Sequence, residues 1–114
     1  MKNKHYMRLN NEPFLLIKGG SKKIELRLND EKRKLIKKND IIEFTNIDTL
    51  EVLCAEVIDL HYFKDFCELY ENFDLVSLGY KNNEEGGFKD MEKYYSNEEQ
   101  EKYGVVGIEL RVIS

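Results

Sequence analysis

The chain has 114 residues, of which 41% are hydrophobic and 35% charged, with a net charge of −4. That is enough apolar material for one core in a single domain spanning residues 1–114. No apolar run approaches the roughly 20 residues of a membrane-spanning helix, and Met1-Lys2-Asn3-Lys4-His5-Tyr6 leads into no apolar signal-peptide core, so the chain reads as a soluble cytoplasmic protein with no membrane partner.

In chain order, weak alternation predicts a short strand over residues 5–9. Asn11-Glu12-Pro13 then predicts a helix start, with Asn11 as cap and Pro13 in the first turn, where its missing N–H costs nothing. Gly19-Gly20 supplies the stop. Residues 22–28 alternate: Ile24, Leu26 and Leu28 share one face, Lys23, Glu25 and Arg27 the other, which predicts a half-buried strand. Residues 30–37 read as a short polar helix or turn, Asn39-Asp40 as a turn and residues 41–44 as a strand. A longer strand is predicted from about residue 50 to 62, and helices over 64–72, around 75–78 and over 88–95. Ser96-Asn97-Glu98-Glu99 has the form of a capping box, opening a helix that ends at Gly104. Residues 105–113 form the last strand, with Val106, Ile108, Leu110 and Val112 on one face. This order suits an α+β domain built on a small mixed β-barrel rather than a doubly wound sheet.

Charge is distributed unevenly. Between Lys18 and Lys38 nine basic residues meet three acids, a local balance of +6, whereas between Glu51 and Asp74 seven acids meet Lys64 alone. Such a dipolar chain can orient an anionic partner despite its negative total. Within the basic segment, strand geometry sets Lys23, Glu25 and Arg27 in a row, neighbours roughly 7 Å apart. A carboxylate between two cations stays ionised and can orient the guanidinium towards an anion or a base edge. Lys22, out of phase with that row, sits at the strand mouth beside the two glycines, which let a ligand approach the backbone. The plainer reading of the same row is a solvated strand face with cross-strand ion pairs.

The run Pro13 to Arg27, PFLLIKGGSKKIELR, resembles the signature of the ASCH domain: a helix ending in Gly, then Gly-x-Lys-x-x-Glu-x-Arg on a strand. Ile36 to Phe44 is similar to the family's second element, with Asn39 where a Gly usually precedes the Asp, and Asn tolerates the left-handed turn better than most residues. Tyr103 to Leu110 resembles the closing strand. The resemblance implies a PUA-like mixed barrel flanked by short helices, with a cleft beside residues 22–28 for RNA or a nucleotide or nucleoside ligand. It carries Lys22, Glu25 and Arg27 over as site residues; Lys23 joins them from strand geometry. One branch of the family hydrolyses acetylated cytidine and has a Thr where this chain has Glu25. A carboxylate cannot replace that hydroxyl as a nucleophile without a change of mechanism.

Two functions follow. One is a binding module holding RNA or a nucleotide through Lys22, Lys23, Glu25 and Arg27, with Tyr95, and more weakly Tyr94, stacking on a base. The other is a small hydrolase, an amidohydrolase on a modified nucleoside or a ribonuclease, with Glu25 as general base and Lys22 steadying the developing charge. No cofactor is expected. No metal is expected either: Cys54 and Cys67 lack CxxC spacing, and His5 and His61 lie far from both in sequence. His61 reads as a structural histidine, and the remaining aromatics of the second half as core.

Overall fold

A computed structural model describes residues 2–113. The chain runs β1 (Lys4–Leu9), α1 (Asn11–Gly19), β2 (Ile24–Leu28), a 3-10 turn (Arg33–Leu35), β3 (Ile41–Asn46), β4 (Val52–Phe63), α2 (Phe66–Glu71), α3 (Leu75–Leu78), a 3-10 helix (Phe88–Lys93), α4 (Asn97–Tyr103) and β5 (Val105–Val112). The strands form one sheet in the order β1-β3-β4-β5-β2. β1 pairs parallel with β3, and every other pairing is antiparallel. The sheet curls into a half-barrel, the α+β architecture expected from the sequence. Its two edge strands are joined where Arg27 Nη2 on β2 donates to the Arg8 carbonyl on β1 at 3.3 Å.

Curling divides the core in two. Inside the curl, Phe14 and Ile17 of α1 pack with Met7, Ile42, Phe44, Val57, Val106 and Ile108. Outside it, α2 and α3 cover Ile24, Leu26, Leu28 and Val105 with Phe66, Leu69 and Leu78. Because β5 lies between β4 and β2, residues 105 to 108 are buried on both faces, where alternation alone marks one face. Gly107 makes this possible, since a Cβ there would lie 3.1 Å from Ile24 Cγ2.

Side chains rather than strand propensity set several turns. Asp40, 3% exposed, accepts from Nε2 of His5 at 2.8 Å and from the backbone N–H groups of Lys37 and Asn3. It ties the start of β1 to the entry of β3. Asn39 beside it has φ 77°, the left-handed turn its residue type suggests. Buried Asn46 closes the β3–β4 hairpin by accepting from the N–H groups of Asp48 and Thr49.

Several boundaries differ from the sequence reading: β2 begins at Ile24 rather than 22, and β3 runs on to Asn46. Asn11 is the first helical residue and not the cap: Asn10 precedes it in extended conformation, and the Asn11 side chain instead accepts from Nδ2 of Asn46 at 2.9 Å. The segment expected as a helix over 88–95 is a 3-10 helix over Phe88–Lys93. At α4 the capping box is present, with the Ser96 hydroxyl accepting from the Glu99 N–H at 3.1 Å and Glu99 accepting from the Ser96 N–H at 3.0 Å.

Candidate functional site

Edge strand β2 flanks a cavity of about 980 Å³. Its walls come from β1, the start of α1, β2, the end of α3 and the segment from Gly79 to Tyr95. Register explains what β2 presents there. Glu25 and Arg27 lie across from Ile108 and Val106, so they point to the inside of the curl, while Ile24, Leu26 and Leu28 belong to the outer core. The side that the plainer reading makes a solvated strand face is therefore inside the protein. Glu25 is only 4% exposed.

Both Glu25 oxygens meet a cation. Lys22 Nζ lies 3.2 Å from Oε1. Arg27 Nε donates to Oε2 at 2.7 Å, and Nη2 lies 2.7 Å from the same oxygen. Burial pushes the carboxyl up, but the charges of Lys22 and then Arg27 overcome it and hold Glu25 below the ordinary Glu range. Burial also opposes the Arg27 charge, and Glu25 more than restores it. The three side chains form one buried, ionised cluster carrying a net positive charge.

Lys22 reaches the cluster because residue 22 precedes the strand and its side chain is long. It also donates to the Leu78 carbonyl at 3.3 Å, at the end of α3. Gly79 makes room for it: φ is 115°, and a Cβ there would lie 3.0 Å from Lys22 Cδ and 3.2 Å from Nζ. Lys23, placed in the row by alternation, is exposed and outside the cavity lining. Its backbone is held between Ser77 O and the Leu110 N–H before regular pairing of β2 begins at Ile24.

The rest of the basic segment scatters. Lys18 pairs with Glu51, Arg33 with Asp30 and Lys34 with Glu31. Lys38 lines a separate hollow with Lys2, Asn39, Asp40 and Glu56. The cavity takes only Lys22 and Arg27 from it. Its lining holds four cations, Arg8, Lys22, Arg27 and Lys93, against five carboxylates, Glu12, Glu25, Glu84, Glu85 and Asp90. The local +6 of the sequence does not become a basic cleft.

Four tyrosines line the cavity. Tyr94 is exposed and carries Lys93 Nζ 5.5 Å from its ring centroid. Tyr95 is half-buried, one face stacked on Phe66 at 5.6 Å between centroids. Tyr70 and Tyr80, both packed against the outer core, are joined hydroxyl to hydroxyl at 2.9 Å, and Tyr80 donates to Asp90 Oδ2 at 2.7 Å.

Away from the cavity, a β-bulge between Val57 and Asp59 brings Asp59, His61 and Glu109 together on the outer face, their ligand-type atoms within 4.8 Å of one another. Cysteine–histidine spacing gives no hint of this group, which tertiary pairing creates. His61 Nε2 meets Glu109 Oε1 at 2.9 Å in a partly exposed hydrogen bond, and its ring meets Phe73 edge-on. That satisfies the histidine without a ligand.

The ASCH domain profile matches residues 7–114. This chain belongs to the ASCH domain family. It is similar in structure to the hypothetical protein PH0355, with TM-score 0.81 and 40% identity over 96% of this chain and 99% of that one. It is also similar to protein PF0455 from Pyrococcus furiosus, with TM-score 0.72 and 32% identity over 97% and 98% of the two chains. An ASCH structure from Zymomonas mobilis shares the fold, with TM-score 0.69 and 14% identity over 96% of this chain and 67% of that one. None of the curated proteins matches the sequence. Among the described residues, no helix is long and apolar enough to cross a membrane.

Proposed function

We propose that this ASCH domain binds RNA, or a nucleotide or nucleoside, in the cavity beside β2. One observation carries the reading: a buried Lys22–Glu25–Arg27 cluster opens onto a cavity of ligand size that four tyrosines also line. The cations offer donors to a base edge or a single phosphate, Glu25 holds them in place, and the exposed ring of Tyr94 offers a stacking face. Tyr95 contributes its remaining face.

The hydrolase alternative asks Glu25 to take a proton from water. A base should have a pKa near the working pH, whereas Glu25 is held low and both its oxygens are engaged. Its surroundings suit a fixed counter-charge better than a base, which favours binding.

Fluorescence anisotropy with a labelled single-stranded RNA of about ten nucleotides tests the proposal. Saturable binding that is lost in Lys22→Ala/Arg27→Ala is the expected result. Binding that survives that double substitution, or no binding at low salt, removes it.

A further inference from the structure

Tyr70, Tyr80 and Asp90 line the cavity as a hydrogen-bonded chain whose proton order is determined by chemistry. A tyrosine hydroxyl has one proton. Tyr80 spends its own on Asp90 Oδ2 at 2.7 Å, a charged acceptor nearer than the Tyr70 oxygen at 2.9 Å or Gly87 O at 3.4 Å. The Asp90 carboxylate, which also accepts from the Gly87 N–H at 3.2 Å, has no proton to return. With the Tyr80 proton on Asp90, the Tyr80 oxygen accepts from Tyr70. The Tyr70 proton is thereby committed, and what its oxygen has left for the cavity is lone pairs.

Lys22 and Arg27 are the reverse, donors without acceptors. Lys22 spends two N–H groups on Glu25 and Leu78 O and has a third. Arg27 spends Nε on Glu25 and Nη2 on Arg8 O and has Nη1. One cavity thus holds a pure acceptor and two pure donors. Phosphate oxygens use only the donors. A nucleobase edge, with an N–H beside a carbonyl or ring nitrogen, uses both.

We infer that Tyr70 is a specificity-determining residue of this cavity, accepting a hydrogen bond from a base N–H whose neighbouring acceptor is held by Lys22 or Arg27. The inference rests on the proposed binding of a nucleoside unit. The competing role for the chain is purely structural. Tyr80 also packs on Gly86, where a Cβ would come within 2.2 Å of its ring, so the chain could serve only to hold the segment from Gly79 to Asp90.

Calorimetric titration of uridine and 3-methyluridine separates the two roles. The methyl group removes the N3–H and leaves both carbonyls. The wild-type protein is expected to prefer uridine by roughly five- to tenfold, the worth of one hydrogen bond with its partner left unpaired. In Tyr70→Phe that preference should fall close to one, through loss of uridine affinity alone. In Tyr80→Phe the Tyr70 proton is released to donate to a carbonyl, so 3-methyluridine should bind more tightly than to wild type. That second variant carries the test if Tyr70→Phe does not fold. An unchanged ratio in folded Tyr70→Phe means the methyl group merely clashes, and overturns the inference while the binding reading stands. Equal loss of both ligands overturns it as well. No binding of either nucleoside to wild-type protein removes the nucleoside reading, and the role of Tyr70 with it.

Discussion

Replacing Glu25 by Gln keeps the shape of the side chain and removes the charge that holds Lys22 and Arg27 together. The cost can be worked from the geometry. The cations lie 3.2 and 2.7 Å from the carboxylate, and the side chains of Glu25, Lys22 and Arg27 are 5%, 10% and 15% exposed, so water screens the cluster weakly. Breaking a buried pair by removing one partner costs about 3–5 kcal/mol. Gln still offers one carbonyl oxygen to Arg27, which places Glu25→Gln near the lower end, about 3 kcal/mol. At roughly 4 °C per kcal/mol for a domain of this size, the melting temperature should fall by about 12 °C. Circular dichroism melts and urea titrations measure both quantities.

The difference should also depend on pH in one direction. The Glu25 pKa is lower in the folded protein than in the unfolded chain. Its contribution is therefore complete above the unfolded value of about 4.3 and is lost as pH falls through the folded value. The gap between wild type and Glu25→Gln should be constant near neutrality and narrow only below about pH 4.3. A loss under about 1 kcal/mol at pH 7, or a gap that widens in acid, would refute a buried, ionised cluster. Replacing all three members with Lys22→Met, Glu25→Leu and Arg27→Met should leave stability near or above that of wild type, because desolvation offsets most of what such clusters gain. RNA binding should be abolished, which would show that the cluster serves the ligand.

Three further outcomes follow from other parts of the structure. Gly79→Ala adds a Cβ at φ 115° against Lys22, so it should cost more than about 1 kcal/mol in urea titration and weaken RNA binding in anisotropy. Ser96→Ala removes the cap of α4, at a residue outside the cavity lining, and should cost about 1 kcal/mol with RNA affinity unchanged. Because the cavity balances four cations against five carboxylates, RNA affinity should fall only gently with salt, with a log–log slope of about −1 or shallower. A slope of −3 would instead point to phosphates running along the exposed lysines between Lys32 and Lys38.

Features held together by neighbours in sequence were legible before the structure. The capping box at Ser96, the stop at Gly20 with φ 92° and the left-handed Asn39 each depend on bonds or backbone preferences within a few residues. The alternation of β2 also marked Glu25 and Arg27 as facing one way. Whether that way was solvent or interior depended on the curl of the sheet, which brings Arg8 of β1 up to Arg27, and no local pattern carries that. Lys23 followed the alternation rule into a strand that begins one residue later, whereas Lys22 gained its place from Gly79, 57 positions away. Tyr70 keeps helical spacing with Phe66 and packs against the outer core. Its hydroxyl acquires meaning only beside Tyr80 and Asp90. The basic segment failed as a guide to the cleft because ion pairs and turns spread its lysines over different faces.

Nuclear magnetic resonance titration of isotope-labelled protein with a short single-stranded RNA tests the binding site most directly. Amide shifts concentrated at Lys22 to Arg27, Tyr70, Leu78 to Tyr80 and Tyr94–Tyr95 are the expected result. Shifts confined to Lys32 to Lys38, with residues 22 to 27 unmoved at saturation, would contradict it.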